Sequence, residues 1–244
     1  MRHLSLLLLA SLLGGCAGQA SRDPSGIWIN QAVIAAAAQG GSLQEALLAH
    51  GPTLEWRIDA PHQQAQASNG FELSEGQLSP TTEGQWRVDF DGDYQETLGL
   101  AQDQLIQHAS ATGPEQRFER PTQAARVNAP FGSHFELALY TAYMGGTWTI
   151  RQGPGEGGLV RFHPDGRLEG LPGAERYALC LAGDCAAMSG EQDSLWLQLG
   201  EQGSPWIFVR DQDRLEIFEA HNRAQIDEMP DYGPGPRHWL LERD

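Results

Sequence analysis

Short runs of alternating apolar and polar residues recur along most of the chain, and turn residues separate them. Ten such runs can be read, each six to eight residues long: TLEWRID, QWRVDF, YQETLGL, DQLIQH, GLVRFH, ERYALCLA, DSLWLQLG, PWIFVRD, RLEIFEA and RHWLLER. Alternation gives a strand one packed face and one wet face, which favours antiparallel over parallel sheets. Asp-Gly, Gly-Asp, Pro-Asp-Gly and Gly-Ser-Pro punctuate the runs. The pattern predicts a mainly β fold of antiparallel meanders that curl into barrels.

The chain also repeats itself. SGIWIN at 25–30 and GGTWTI at 145–150 each place Gly-x-Trp at the head of an alternating run, and QRFER at 116–120 and HWLLER at 238–243 close the two halves at similar distances. Weaker echoes pair Asp103-Gln104-Leu105 with Asp213-Arg214-Leu215, and Phe71 with Phe162. The repeat predicts two tandem copies of one small β unit. A single irregular β-rich domain is the alternative.

Two segments carry helix signals. Ser42 and Glu45 form a capping box before an Ala- and Leu-rich run that Gly51-Pro52 stops, and Ser133 with Glu136 forms a second box. We interpret the second helix as the joint between the repeats. The expected organisation is a signal peptide at 1–15, a lipidated tether at 16–25, a first barrel-like domain with a helical insert at 26–126, a linker helix at 127–145 and a second barrel-like domain at 146–244.

A Gly-x-Trp on the first strand with an arginine on the last resembles the lipocalin-like proteins. In that family the arginine side chain lies across the tryptophan ring, a cation–π contact of about 0.5 to 2 kcal/mol. The resemblance implies that Trp28 meets Arg120 and that Trp148 meets Arg243. The second repeat is also similar to the small META-type domains of envelope proteins, through GTW, DGRLEG and RY.

The first residues read as an export signal. Arg2 precedes an apolar run from Leu4 to Leu13, which is too short to be a membrane-spanning helix of about 20 residues. Leu13-Gly14-Gly15-Cys16 resembles the lipobox of bacterial lipoproteins. The resemblance implies that the signal is cleaved before Cys16, that its thiol receives a diacylglyceryl group and that the new amino end is acylated as well. Two or three acyl chains hold a protein on a membrane permanently.

The residues after Cys16 indicate which membrane. In lipoproteins of this kind an aspartate directly after the cysteine retains the protein at the inner membrane, whereas here Ala17-Gly18-Gln19 follows. We therefore expect a lipid-anchored protein at the outer membrane, facing the periplasm. The small, polar segment 16–25 has the composition of a short tether. A plain secretory signal with a chance cysteine is the alternative.

The other two cysteines, Cys180 and Cys185, have four residues between them. Because the expected compartment permits disulfides, we predict a structural bond that clips a hairpin or tight loop, worth about 2 kcal/mol in the chain-entropy model. A redox pair usually has two intervening residues, and a zinc site would need a second pair of ligands that the sequence lacks.

The net charge and the absence of known motifs in the sequence argue against several classes of function. The formal net charge of −16 disfavours a nucleic-acid partner. The chain contains no Gly-x-Ser-x-Gly elbow, His-Glu-x-x-His pair, phosphate loop or dinucleotide fingerprint, so we expect no catalytic residues, cofactor or metal. The acidic stretch from Asp89 to Glu96 does not fit a calcium loop and instead predicts a hairpin that turns at Asp91-Gly92.

The sequence thus predicts a non-catalytic binding or interaction module, anchored to the membrane, for a small apolar ligand or an envelope protein. The ligand-binding residues cannot be named from the sequence. A structural lipoprotein with filled barrels and a periplasmic enzyme remain as alternatives.

Overall fold

The computed structural model describes residues 23–81, 84–92, 94–111 and 113–243. Within them the chain forms two nearly closed, eight-stranded antiparallel meander barrels and four short helices. The predicted fold class, mainly β with two tandem barrel-like units and short helices, is confirmed.

The first barrel is formed by consecutive strands, each hydrogen-bonded to the next. Its edges meet where the backbone N–H groups of Ile29 and Glu119 donate to each other's carbonyl oxygens, at 2.8 and 2.9 Å. The strands are β1 (Gly26–Ile29), β2 (Glu55–Asp59), β3 (Gln64–Ser68), β4 (Leu73–Pro80), β5 (Trp86–Phe90), β6 (Gln95–Ala101), β7 (Gln104–Gln107) and β8 (Gln116–Phe118).

The second barrel repeats this meander and joins its last strand to its first through Leu240–Arg243 paired with Trp148–Gln152. Its seam lies between its third and fourth strands, where Tyr177 N donates to Gly166 O at 2.8 Å. The strands are β9 (Gly146–Gln152), β10 (Leu159–Phe162), β11 (Leu168–Glu169), β12 (Arg176–Leu179), β13 (Ser194–Leu199), β14 (Gln202–Asp211), β15 (Arg214–Asn222) and β16 (Tyr232–Arg243).

The helices of the described chain are α1 (Gln31–Ala38), α2 (Leu43–His50), α3 (Ser133–Tyr143) and α4 (Gly183–Ser189). The cap of α2 is confirmed, since Ser42 Oγ accepts from Glu45 N at 3.2 Å and Gly51 ends the helix with φ +96°. No helix in the described ranges combines the length and apolar character needed to cross a bilayer.

The predicted capping box of α3 is wrong. Its N-cap is Gly132, which has no side chain, and Ser133 is the first helical residue. Glu55, on strand β2, takes the capping role instead: its Oε2 accepts from the backbone N–H groups of His134 and Phe135, at 3.0 and 2.9 Å. A carboxylate from a distant strand therefore satisfies donors that the local sequence leaves open.

Both tryptophan–arginine contacts implied by the lipocalin resemblance are present. The Arg120 guanidinium lies 3.6 Å from the Trp28 ring centroid, and that of Arg243 lies 4.5 Å from the Trp148 ring centroid. In both copies the indole Nε1 donates to the carbonyl oxygen of the residue four positions earlier, at 2.7 and 3.0 Å. Each half thus contains the same local structure, which one tryptophan and one arginine form.

The glycine of each Gly-x-Trp has a structural reason. Gly26 and Gly146 have φ values of +118° and +117°, a backbone conformation that residues with a side chain rarely adopt. A Cβ atom at Gly26 would also lie 2.1 Å from Nη1 of Arg120. Glycine therefore allows the arginine to pass over the first strand and reach the indole.

Two finer expectations are not met. Gly203-Ser204-Pro205 does not separate two strands but lies inside β14, where Pro205 faces Trp196 of β13. The Phe71–Phe162 echo is wrong, because Phe162 is a buried residue of the second strand of its barrel, whereas Phe71 is an exposed residue before the fourth strand of the other. In contrast, Leu105 and Leu215 are fully buried at equivalent places on the seventh strands.

The helices share one hydrophobic core with the second barrel. Buried residues of α1, α2 and α3 belong to the same apolar cluster as the interior of the second barrel, and those of the first barrel form a separate, smaller cluster. Val33 and Ile34 of α1 and Leu43 of α2 are at most 2% exposed within the larger cluster. The helical insert of the first repeat is therefore packed with the second.

A second carboxylate cap crosses the same boundary in the opposite direction. Asp193, which directly precedes β13, accepts from Ser42 Oγ at 3.0 Å and from the backbone N–H groups of Leu43 and Gln44 at 2.9 and 2.7 Å. Glu55 of the first barrel caps α3, and Asp193 of the second barrel caps α2. The first barrel thus caps the helix of the linker, and the second barrel caps a helix of the first repeat.

Candidate functional site

Side chains fill the interior of both barrels. An eight-stranded barrel is just wide enough for its own side chains to meet inside. The first interior contains Trp28, Trp56, Ile58, Ala65, Leu78, Trp86, Val88, Leu98, Leu105 and Phe118. The second contains Trp148, Ile150, Val160, Phe162, Leu168, Tyr177, Leu179, Leu195, Leu197, Phe208, Leu215, Ile217, Trp239 and Leu241.

Three depressions in the described part of the chain are poor binding sites. A cavity of about 130 Å³ at one end of the first barrel, beside Trp56 and Phe90, is well below the 300–1,000 Å³ typical of ligand sites. An apolar pocket of about 160 Å³ beside the disulfide, bordered by Trp196, is equally small. A wider trough of about 690 Å³ on β3–β5 is open and polar, and its Glu75 and Asp89 are already partnered by Gln66 and Arg87.

A fourth depression has the size and lining of a ligand site. This groove, here called the linker groove, has a volume of about 460 Å³. Its walls are the linker 124–130, one face of α3, the β10–β11 turn at 164–166 and the start of β12 at 176–178. It therefore lies where the segment between the repeats passes over the seam of the second barrel.

The periodicity of α3 divides its side chains between core and groove. Phe135, Leu139 and Tyr143 are buried in the shared core. Ser133, Glu136, Leu137 and Tyr140 recur at the helical spacing of three and four residues and line the groove. Ser133, Glu136 and Leu137 thus face the cavity, whereas Tyr140 borders it but is itself a core residue, 5% exposed, whose hydroxyl accepts from Leu179 N at 3.0 Å.

Glu136 is the unusual charge of this groove. In the described part of the chain its carboxylate has no hydrogen-bond or ion-pair partner. Burial, assisted by the negative charge of Glu55, raises the pKa of Glu136 above its ordinary value. An acid held in this way is destabilised when ionised, and a positive group placed beside it would relieve that cost.

An ion pair ties the linker across the groove. Arg126 Nη2 lies 2.5 Å from Asp165 Oδ2, which joins the linker to the β10–β11 turn. Burial opposes the ionisation of Asp165, but hydrogen bonds from the backbone and side chain of Arg167, with the charges of Arg167 and Arg126, outweigh it, so its pKa lies below the ordinary value. Asp165 is therefore paired with arginine side chains, whereas Glu136 has no such partner among the described residues.

The structure bears on some of the residues singled out in the sequence. Cys16, the expected lipid attachment site, lies outside the described residues. Cys180 and Cys185 are bonded, with Cα atoms 5.8 Å apart. Of the predicted hairpin or tight loop, the hairpin is wrong: Cys180 follows the end of β12 and Cys185 lies in α4, so the disulfide closes the short turn between them and fastens a short helix to the barrel wall.

The acidic stretch from Asp89 to Glu96 forms the predicted hairpin, with β5 ending at Phe90, a turn at Asp91-Gly92 and β6 beginning at Gln95. Glu96 is 1% exposed, and its Oε1 accepts from the hydroxyl groups of Tyr94 and Ser110. No group of three or more His, Cys, Asp or Glu side chains in the described ranges is arranged to hold a metal ion.

The sequence motifs did not identify the residues of the linker groove. Glu136 was assigned to the cap of α3, and the structure leaves it unpaired because Glu55 performs that role. The available signal was the helical spacing of Ser133, Glu136, Leu137 and Tyr140, which places a carboxylate in a partly apolar stripe. That signal indicates a packed face but not what covers it.

Comparison with known proteins gives no family assignment. No protein-family model matches the chain. Searches of curated proteins and of solved structures find no significant match either.

Proposed function

We propose that this protein is a lipid-anchored, non-catalytic binding module of the bacterial envelope. In this proposal Cys16 carries the acyl chains, the outer membrane holds the protein, and the body faces the periplasm and takes up a small ligand in the linker groove. The lipobox supports the anchor. The groove supports binding.

The observation on which the binding proposal depends is the contrast between the barrels and the groove. Buried apolar side chains of the described residues occupy both barrel interiors, which disfavours an acyl chain inside a barrel, as in a hollow lipocalin-like protein. The linker groove has about 460 Å³, which lies within the range of small-molecule sites, and it combines apolar walls with a carboxylate that lacks a partner in the described chain.

The anchor and the ligand site are tested separately. Cys16→Ser should move the protein from the membrane fraction to the soluble fraction of the cell. A substituted chain that still sediments with the envelope would contradict the anchor.

For the ligand site, native mass spectrometry of the Cys16→Ser chain, purified without detergent, should show no retained lipid. A stoichiometric co-purified acyl lipid would contradict the proposal that ligands bind outside the barrels.

A second candidate is a structural envelope lipoprotein that binds no small ligand. The filled barrels favour it, because a rigid packed body is what such a role requires. The two candidates differ in one respect that can be measured: the structural protein gains no thermal stability from any small molecule, whereas the binding module is stabilised by its ligand through mass action.

A further inference from the structure

We propose that the ligand of the linker groove is a small organic cation, a protonated amine on an apolar body, and that its ammonium group pairs with Glu136. This inference rests on the proposed function and gives the chemical class of the ligand. The charges of the groove, its lining and the net charge of the whole protein support it.

The charges around the groove leave one half-buried group without compensation. Asp165 is paired with Arg126 and Arg167, and Glu55 is held by the backbone N–H groups at the start of α3. Glu136, between them, has neither an ion pair nor a hydrogen bond among the described residues. Arg176 at the rim is exposed, so water already solvates its charge. A positively charged group therefore gains the most electrostatic stabilisation when it lies beside Glu136.

The apolar part of the ligand is set by the rest of the lining. Leu137 of α3 and Ala129 and Pro130 of the linker line the groove, together with the edge of Tyr140, which is 5% exposed. These side chains can cover a hydrocarbon body of several carbon atoms at about 25 cal/mol for each Å² removed from water. A bare inorganic cation would leave this surface unused, so an amine with an apolar body fits better.

The overall charge of the protein acts in the same direction. A net charge of −16 gives the surface a negative potential that concentrates cations and repels anions. Fatty acids and phosphorylated ligands are therefore disfavoured twice, by the long-range field and by the unpaired carboxylate in the groove.

Ligand affinity should depend on pH through Glu136. Burial and the charge of Glu55 raise its pKa. The other titratable or charged groups around it are His134 near Glu55, Tyr140 on the same helix, Tyr177 packed against Tyr140, Asp165 and Arg126 across the groove, and Arg176 at the rim. A cationic ligand binds the ionised acid better, so its affinity rises as the pH rises through the pKa of Glu136. Removal of this carboxyl group should flatten that part of the profile.

The test compares three probes of equal chain length: octylammonium, octanol and octanoate. Binding to the full chain carrying Cys16→Ser, without detergent, is measured by isothermal titration calorimetry between pH 4.5 and 7.5. We expect octylammonium to bind at least ten times more tightly than octanol, and octanoate to bind more weakly than octanol. Glu136→Gln should weaken octylammonium binding by about 10- to 100-fold, the loss typical of a hydrogen bond to a charged group.

The matched control is Glu156→Gln, which removes the same charge from an exposed loop that does not line the groove. This variant should change octylammonium affinity by less than about twofold, as expected for a screened distant charge. Glu136→Gln should remain folded and should be at least as stable as the parent at pH 7, because it removes an unpaired carboxylate whose ionisation is opposed by burial.

The outcomes separate the two proposals. If octanol or octanoate binds as tightly as octylammonium, or if Glu136→Gln leaves octylammonium affinity unchanged, the groove binds ligands but the assignment of a cation is wrong. If none of the three probes binds, both the ligand class and the proposed binding function of the groove fail.

Discussion

Asp193 offers the sharpest test of how the two repeats are joined. The residue is 9% exposed, and its carboxylate accepts hydrogen bonds from Ser42 Oγ, Leu43 N and Gln44 N at 2.7 to 3.0 Å. Asp193→Ala removes all three contacts. The substitution leaves the Leu43 N–H, which is buried, without an acceptor at the start of α2.

The expected loss follows from two opposing effects. Loss of the hydrogen bonds from Ser42 Oγ and Gln44 N costs about 1 kcal/mol, and the buried Leu43 N–H left without a partner costs about 1–3 kcal/mol. Against this, burial raises the pKa of Asp193 despite the lowering effect of its hydrogen bonds, so its ionised form carries a desolvation cost that alanine removes. We therefore expect a net loss of about 2–3 kcal/mol, a fall in Tm of roughly 4–12 °C for a protein of this size.

The sign of the pH dependence provides an independent check. Because the folded-state pKa of Asp193 is raised, its protonation favours the folded state below that pKa, and this contribution is lost as the pH rises through it. The difference in stability between the parent and Asp193→Ala should therefore be larger near pH 4 than at pH 7.

Urea unfolding followed by tryptophan fluorescence measures both quantities, with Asp193→Asn as the control that keeps one oxygen acceptor and should lose less. A loss below about 0.5 kcal/mol at pH 7, or a difference that grows from pH 4 to pH 7, would refute this account of the cap.

Other features give further predictions. Arg120→Met and Arg243→Met should each lower the free energy of unfolding by about 0.5–2 kcal/mol through loss of the cation–π contact, measurable by urea unfolding, and no change in either would argue against the contact. Replacing both Cys180 and Cys185 by serine should cost about 2 kcal/mol, and the parent should lose the same amount in a reducing agent while the variant is insensitive to it. A chain that ends at residue 126 should give no cooperative unfolding transition, because the buried side chains of α1 and α2 then lack their partners; a sharp transition from this fragment would show that the first repeat folds alone.

Local signals were sufficient for the barrels but not for their connection. Alternating runs, turn residues and the two tryptophan–arginine motifs predict the strands and the repeat, because each signal acts within a strand or between the first and last strands of one meander. The cap of α2 by Ser42 was predictable for the same reason. Gly203-Ser204-Pro205 was misread because a strand accepts proline where its missing N–H is not needed.

The contacts that the sequence did not predict connect residues far apart in the chain. Glu55 accepts a hydrogen bond from the backbone of His134, and Asp193 accepts one from the backbone of Leu43. No local sequence pattern predicts either contact. Glu136 illustrates the consequence for the candidate site: its capping role was a reasonable local interpretation, and a distant carboxylate replaced it. The groove could be located only after the paths of the linker and the second barrel were known.

The packing of α1 and α2 against the second barrel also has a consequence for biogenesis. A growing polypeptide emerges amino terminus first, so the apolar faces of Val33, Ile34 and Leu43 are delivered before residues 146–243 that cover them. During that interval the nascent chain exposes apolar surface. Binding of a chaperone, or rapid completion of the fold, then prevents aggregation. The apolar helices of the first half therefore stay uncovered until the second half has been synthesised.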